Sequence, residues 1–328
     1  MIELIIVIIL LALIFDFGNG MNDAANAIAS VIATRVLSVR KALLLAACGD
    51  FLGPFIAGVA VATTMGTGII DPNIINSFVI ISALIGAVFW TYLLTFKGFP
   101  ISVTHALIGG LVGAGIMKAG IGAVFGGKLL LVILFIAMAP IFGFIGGLAF
   151  SISVLWIFRK SKPFKVNSYF KRLQLGSSFL YSLSHGANNA QNSMGIISIS
   201  LFTAGYLGTN FFVPVWVIII CASAMALGTF TGGLKVIRTM GTRLTKLRPV
   251  DGFNAESSGG VTIFLCTALG IPVSTTHVIC GSIIGTGAIK RLSAVKWGLA
   301  RNIVYAWLLT IPVSAVVGAL IYMIISLF

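Results

Sequence analysis

Charged residues are scarce in this chain. Only 9% of its 328 residues are Asp, Glu, Lys or Arg, and just seven are acidic. A soluble domain carries about 25% charged residues, so a soluble enzyme could not cover its surface with this composition. Hydrophobic residues make up 59% of the chain, which excludes a disordered protein. The composition is that of a polytopic membrane protein.

Cysteine is also rare. Cys48, Cys221, Cys266 and Cys280 stand alone within apolar runs, with no CxxC spacing. This excludes a secreted disulfide scaffold and argues against metal or redox roles. The N-terminal run lacks the basic residues and the cleavage site of a secretory signal, so we interpret it as a membrane segment.

Basic residues outnumber acidic ones, giving a net charge of +14, and 18 of the 21 Lys and Arg lie in four clusters between apolar runs. The clusters are 35–41, 159–172, 235–248 and 290–301. No aromatic stacking platform interleaves with them, as a single-strand binder requires. Such clusters are typical of cytoplasmic loops, so we expect a lipid bilayer and no nucleic acid as partner.

Apolar stretches recur along the whole chain, and several are shorter than the about 20 residues that a helix needs to cross the hydrocarbon core. The short candidates include 172–183 and 196–206, whereas 129–158 and 298–328 are long enough to cross with tilt or to bend. Short apolar segments broken by Gly, Asn and Pro are typical of discontinuous helices. We therefore predict an all-α fold with discontinuous or re-entrant half-helices.

Two motifs occur twice. GMNDAANA at 20–27 resembles GANNAQNS at 186–193. GFPISVTHALIGGLVGAG at 98–115 resembles GIPVSTTHVICGSIIGTG at 270–287. The same motifs in the same order, at nearly the same offset, indicate an internal duplication.

The duplication divides one transmembrane domain into two repeats. We place the first repeat at 1–158 and the second at 172–328, joined by a basic cytoplasmic linker at 159–171. The two repeats also define pairs of equivalent loops, whose charges can be compared.

Charge orients the two repeats. The loop after the first N-rich motif is basic, at 35–41, whereas its equivalent at 204–212 is uncharged. The next pair is reversed, since 67–76 holds only Asp71 and 235–248 holds five basic residues. Equivalent loops therefore face opposite sides, which predicts inverted-topology repeats. We expect a multi-pass protein of the cell membrane, inner or plasma, with both termini extracytoplasmic.

The N-rich motifs place polar side chains in apolar surroundings, where they are costly unless they serve a function. The residues are Asn22, Asp23, Asn26, Asn188, Asn189 and Asn192. Spacing of four puts the first and last of each set on one helix face. Amides offer donors and acceptors, so these faces can line a path for an oxyanion and a hard cation. The structural alternative is hydrogen bonding between helices.

The second motif, GxPxSxTH, looks like a helix start inside the membrane, since Pro suits the first helical position and Ser the cap. Free N–H groups at a helix start favour anions. The hydroxyls are those of Ser102, Thr104, Ser274, Thr275 and Thr276. An ordinary capped helix start would explain Pro and Ser alone. His105 and His277 are open between packed histidines and ligands or proton handlers.

Isolated acids complete the polar set. Asp50 lies beside an apolar run and Asp16 precedes the first motif. Glu256 has two locations open to it, in the membrane or in a cytoplasmic loop. Neither N-rich motif nor PxSxTH segment contains Lys or Arg. A dianion there must bring cations or be protonated, which predicts coupling to Na⁺ or H⁺.

The paired motifs resemble the duplicated signatures of the inorganic phosphate transporter (PiT) family, over nearly the whole chain. The resemblance implies a secondary active phosphate carrier and not an enzyme, usually driven by Na⁺ and in some members by H⁺. It implies inverted halves with roughly 12 membrane segments. Asp23, Asp50 and Glu256 match important acidic positions of the family, and Asn189 stands where many members have Asp.

Together these arguments predict a Na⁺ symporter that imports phosphate by alternating access, with Na⁺ as co-transported ion and no organic cofactor. The expected sodium ligands are Asp23, Asn26, Asp50, Asn189, Asn192 and Glu256. The expected phosphate contacts are Asn22, Asp23, Asn26, Ser102, Thr104, Asn188, Asn189, Asn192, Ser274, Thr275 and Thr276. A homodimer follows from the resemblance.

Three alternatives stay open. The runner-up is a proton-coupled phosphate or sulfate carrier. A passive anion channel is the second. The third is an intramembrane hydrolase that uses Ser102 or Ser274 with His105 or His277.

Overall fold

The chain forms twelve α-helices within the residues that its structure, a computed structural model, describes: 2–67, 74–123 and 126–327. The helices are α1 Ile2–Ala33, α2 Val39–Ala57, α3 Ala60–Thr67, α4 Ser77–Lys97, α5 Val103–Ala119, α6 Gly126–Ile157, α7 Pro163–Thr203, α8 Val215–Thr231, α9 Leu234–Arg238, α10 Pro249–Ala268, α11 Thr275–Ala288 and α12 Trp297–Ile325. These ranges contain no strand, so the all-α expectation is confirmed. Asp71 lies outside the described residues.

Among the described residues, four helices are long and apolar enough to cross a membrane: α1, α4, the Ile133–Ile157 part of α6, and α12. The number rises to six if each of two bent helix pairs is one span. The pairs are α2 with α3, bent by 84°, and α8 with its continuation to Gly241, bent by 61°. A multi-pass helical membrane fold with broken helices is therefore present.

The order of helices in the first half recurs in the second. Each half has a long helix with an N-rich motif, a bent pair, a helix that leads into a positive-φ glycine, a short helix and a long final helix. The glycines are Gly98 and Gly270, with φ of 83° and 68°, a conformation that glycine adopts without steric cost. The halves interlock, since α5 packs on α12 and α11 on α6.

One helix corrects the sequence analysis. The stretch 172–183 and most of 196–206, expected as separate segments, belong to the continuous 41-residue α7. Most of the expected linker 159–171 belongs to it as well. Pro163 lies in its first turn, where proline needs no hydrogen-bond donor. The polar motif between the two stretches is helical throughout, and side chains of other helices accept hydrogen bonds from its asparagine NH2 groups.

Close contacts between helices fix the positions of both N-rich motifs. A Cβ on Gly20 of α1 would lie 2.1 Å from the backbone oxygen of Met225 in α8. A Cβ on Gly186 of α7 would lie 2.2 Å from the backbone oxygen of Asp50 in α2. Only glycine fits at these two equivalent positions, so each motif is held against the bent pair of the other half.

Candidate functional site

Both N-rich motifs are helical, as their spacing predicts, and each lies inside one of the long helices α1 and α7. The six polar side chains predicted to form the site are at most 2% exposed. These are Asn22, Asp23, Asn26, Asn188, Asn189 and Asn192. Buried polar groups need partners, and the partners come from both halves of the chain.

Asp23 is the centre of the site. Its Oδ1 accepts a hydrogen bond from Thr276 (2.9 Å), and its Oδ2 accepts from Thr275 (3.2 Å). The Nδ2 of Asn189 also donates to Oδ2, at 2.9 Å. Asp23 and Asn189 hold equivalent positions of the duplicated motif, so the two copies meet here. The sequence-predicted residues of α1, α7 and α11 are thus brought together around one carboxylate.

His185 was missed by the sequence analysis, although it links two predicted acids. Its Nε2 lies 3.3 Å from Asp23 Oδ2 and its Nδ1 lies 2.8 Å from Asp50 Oδ1. The other Asp50 oxygen accepts from Thr229 at 2.6 Å. The available signal was position, since His185 directly precedes the second motif where the first copy has Asn19.

The short helices α5 and α11 begin as predicted at capping serines. Ser102 accepts from the backbone N–H of His105 (3.3 Å), and Ser274 accepts from that of His277 (3.2 Å). The serine oxygens are therefore used within the caps. The prolines of this motif stand two residues before the caps and not at the first helical position, which corrects the expectation.

The threonines that follow these caps pair the two halves. Asn192 of α7 donates to Thr104 of α5 at 2.9 Å. Asn26 of α1 donates to Thr276 of α11 at 3.0 Å. Each N-rich motif therefore contacts the short helix of the opposite repeat, so neither half forms the site alone.

Asn22 and Asn188 form hydrogen bonds at the ends of α4 and α10, the helices that precede the two short helices. Asn22 donates to Thr95 of α4 at 2.7 Å and to the carbonyl of Phe99 at 3.3 Å. Asn188 donates to Thr267 of α10 at 2.8 Å. These two amides hold the ends of α4 and α10 just before the chain turns into α5 and α11. No hydrogen bond between described residues joins either amide to Asp23.

His105 and His277 contact each other across the two helix starts. Their ring centroids are 4.9 Å apart in an edge-on arrangement. The ring of His277 also stacks on Trp307 at 3.8 Å, and its Nδ1 lies 3.4 Å from the carbonyl of Ile136. Both rings thus belong to an aromatic stack that closes the starts of α5 and α11.

Glu256 lies in α10 and is 1% exposed, so its placement in a cytoplasmic loop is wrong. Its carboxylate accepts hydrogen bonds from Ser30, Ser177 and, at 3.3 Å, Gln174. Ser30 is two helical turns beyond Asp23, about 10 Å along α1. The predicted sodium ligands are therefore divided between two places, and the described residues contain no cluster of three or more His, Cys, Asp or Glu suited to a metal ion.

Several amide oxygens at the site are unpaired. The buried Oδ1 atoms of four motif residues have no hydrogen-bond partner among the described residues: Asn26, Asn188, Asn189 and Asn192. Buried acceptors are normally satisfied. An amide oxygen can ligate a hard cation or accept from a hydroxyl, so these atoms offer the site binding capacity.

A multi-pass helical fold with buried carboxylates, amides and hydroxyls beside broken helices is typical of a membrane transport protein. The chain belongs to the phosphate transporter family, whose model matches residues 19–318. This is a family of transporters and not of enzymes, which removes the hydrolase alternative.

Similar proteins agree with this assignment. The chain is 50% identical to a probable low-affinity inorganic phosphate transporter of Rhizobium meliloti, over 97% of this chain and 96% of that protein. It is 40% identical to one of Bacillus subtilis, over 99% and 98%. A solved structure described as "The sodium-dependent phosphate transporter" matches with a TM-score of 0.89 and 27% identity, over 99% of this chain and all of that one.

Proposed function

We propose that this protein imports inorganic phosphate in symport with Na⁺, by alternating access between two inverted halves. The family assignment supports phosphate as substrate, and the sodium dependence named for the solved relative supports Na⁺. The repeated helix order supports two halves that exchange roles. The roughly 12 membrane segments, the extracytoplasmic termini and a homodimer are further parts of this proposal.

The observation that carries the proposal is the composition of the site around Asp23. It combines one carboxylate with the unpaired oxygens of Asn26, Asn189 and Asn192, while neither N-rich motif nor PxSxTH segment contains Lys or Arg. Oxygen ligands suit a hard cation. The cation would supply the positive charge that phosphate needs and the side chains lack.

Phosphate would meet the hydroxyls and amides where α5 and α11 begin. Helix starts carry a partial positive charge and free N–H groups, and the contact between His105 and His277 places these two starts together. Thr104 and Thr276 lie in the first turns. Each threonine accepts a hydrogen bond from an asparagine of the opposite half. Movement of one half relative to the other would therefore alter the phosphate contacts.

Proton coupling is the second candidate, and one observation bears on it. The imidazole of His185 lies between the carboxylates of Asp23 and Asp50. A sodium ion that bridges these two acids must displace the ring or bind beside it.

Glu256 gives a separate carboxylate for a second cation, surrounded by hydroxyl and amide groups.

Uptake of labelled phosphate into proteoliposomes tests the proposal. We expect phosphate to bind at least about tenfold more tightly in Na⁺ than in choline, which corresponds to about 1.4 kcal/mol of coupling. An inward Na⁺ gradient should then stimulate uptake. Equal uptake with and without Na⁺, together with stimulation by an inward proton gradient, would establish the second candidate. Uptake that stops at equilibrium under every gradient would indicate a channel. Excess sulfate should compete weakly, since sulfate brings no proton at neutral pH for the site's acceptors.

A further inference from the structure

A large, mostly apolar cavity lies beside α7, and Ser177 and Glu256 of the second cluster form part of its wall. It has a volume of about 740 Å³, within the range of ligand sites. Residues of α2, α6, α7 and α10 form its wall, among them Ile56, Phe150, Leu180, Phe253 and Leu265. Ile56, Leu180 and Leu265 are more than half exposed. The cavity therefore opens sideways, where the bilayer surrounds the helices.

One end of this cavity continues toward the basic segment before α7. Leu173 lines both the apolar cavity and a smaller one, which it shares with Phe158, Tyr169 and Arg172. Phe158 and Tyr169 in turn line a third cavity of about 260 Å³. The three cavities thus adjoin one another along the start of α7, and we call them together the groove.

The far end of the groove is basic. Its wall includes Lys160, Ser161, Lys162 and Lys165. None of the ion pairs within the described residues involves these three lysines. The end of the groove thus offers three unneutralised charges and a hydroxyl, which suits an anionic group.

Aromatic residues place this basic end at the membrane surface. Trp156 and Tyr169 are both more than 60% exposed, and exposed Trp and Tyr are enriched at the level of lipid headgroups. The guanidinium of Arg159 lies 4.2 Å from the ring centre of Trp156. Headgroup level therefore coincides with the lysines, and the apolar cavity lies on the hydrocarbon side.

We propose that this groove is a binding site for an anionic phospholipid. The phosphate of the headgroup contacts Lys160, Lys162 and Lys165, and an acyl chain fills the apolar cavity. Basic pockets beside membrane helices bind anionic headgroups in this way. The acyl chain packs against α7 and α10, the helices that carry Ser177 and Glu256, so the lipid stabilises the helix pair behind the second carboxylate.

Native mass spectrometry of the detergent-purified protein tests the site, with phosphatidylglycerol and phosphatidylcholine offered in equal amounts. We expect the wild type to retain phosphatidylglycerol preferentially. The triple variant Lys160→Gln, Lys162→Gln, Lys165→Gln should retain at least about tenfold less of it. The matched control removes the same charge elsewhere, by Arg40→Gln, Lys41→Gln and Lys246→Gln, and should retain as much as the wild type.

A second variant tests the acyl end without touching charge. Gly176 lines the cavity, and a Cβ there would meet no atom within 4 Å. Gly176→Leu should fold normally and lower phosphatidylglycerol retention, whereas Gly298→Leu, at another open glycine, should not. Unchanged retention in Gly176→Leu, or equal loss in both charge variants, would overturn the proposal. Displacement of the lipid by excess inorganic phosphate would also overturn it and assign the basic end to free phosphate.

Discussion

The two halves of the molecule agree in their neutral polar contacts and differ in their ionisable ones. The neutral contacts occur as equivalent pairs with nearly equal lengths. These are Asn22–Thr95 (2.7 Å) with Asn188–Thr267 (2.8 Å), and Asn26–Thr276 (3.0 Å) with Asn192–Thr104 (2.9 Å). Both copies of the duplication therefore form the same amide–hydroxyl contacts, and we call these four contacts the symmetric frame.

Four ionisable groups, in contrast, occur once, whereas His105 and His277 are equivalent in the two copies. By the offsets of the two motifs and by the equivalent glycine contacts, each of the four has a different residue at its equivalent position. The pairs are Asp23 with Asn189, His185 with Asn19, Asp50 with Met225, and Glu256 with Leu84. We therefore propose that the symmetric frame contacts phosphate, and that the ionisable groups found in only one copy couple phosphate transport to the cation.

The most severe test makes the two motifs alike. Asp23→Asn keeps the shape of the side chain and removes the charge of the carboxylate. That carboxylate accepts hydrogen bonds from Thr275, Thr276 and Asn189. Hydrogen bonds to a charged group are worth about 1.5–3 kcal/mol, so Na⁺-driven phosphate uptake should fall at least about tenfold. Asp251→Asn is the control, because Asp251 pairs with Arg248 and Lys290 outside the site. Wild-type Na⁺ dependence in Asp23→Asn would remove Asp23 from coupling.

The next prediction concerns the equivalent glycine contacts of the two halves. Gly20→Ala and Gly186→Ala should each destabilise the protein by about 1–3 kcal/mol, because the added Cβ overlaps a backbone oxygen. If the halves are equivalent, the two losses should be similar. Thermal unfolding in detergent measures them, with Gly176→Ala as the control at a position with open space. A loss of thermal stability in only one of the two variants would contradict the equivalence of the two halves.

Local features of the site could be predicted from the sequence, and contacts between distant segments could not. The caps at Ser102 and Ser274 depend on residues three positions away, so a short motif reveals them. The amides of α7 have their partners on distant segments, such as Thr104, which is 88 residues from Asn192. His185 was missed for the same reason, since Asp50 is 135 residues away.

The fold shows the same limit. Composition predicts an all-α membrane protein, and the duplicated motifs predict the repeated helix order. The burial of Glu256 depends on Ser30 of α1, 226 residues away, and no local pattern in α10 indicates it. Sequence therefore identified most of the polar residues, while their division between the Asp23 and Glu256 clusters required the packed helices.

A smaller effect should separate the two asparagine–threonine contacts. Asn26→Ala and Asn192→Ala each remove one hydrogen bond, worth up to about 1.5 kcal/mol, so phosphate affinity should weaken by up to about tenfold in both. Thr276 also donates to Asp23, whereas Thr104 does not contact it within the described hydrogen bonds. Asn26→Ala should therefore change the Na⁺ dependence of uptake more than Asn192→Ala does. An equal change in Asn192→Ala would contradict the proposed division between frame and coupling.

The smallest effect should come from adding an acid to the second motif. In Asn189→Asp a carboxylate replaces the amide that now donates to Asp23 at 2.9 Å. Two carboxylates at this distance repel each other, and a bound cation relieves the repulsion. Half-maximal uptake should then need about fivefold less Na⁺, the change that about 1 kcal/mol of charge interaction produces. Asn189→Ala provides the comparison, since it removes the same donor and adds no charge. Uptake curves against Na⁺ at saturating phosphate distinguish the two variants. If both shift alike, the effect comes from the lost hydrogen bond, and the second motif contributes no cation ligand.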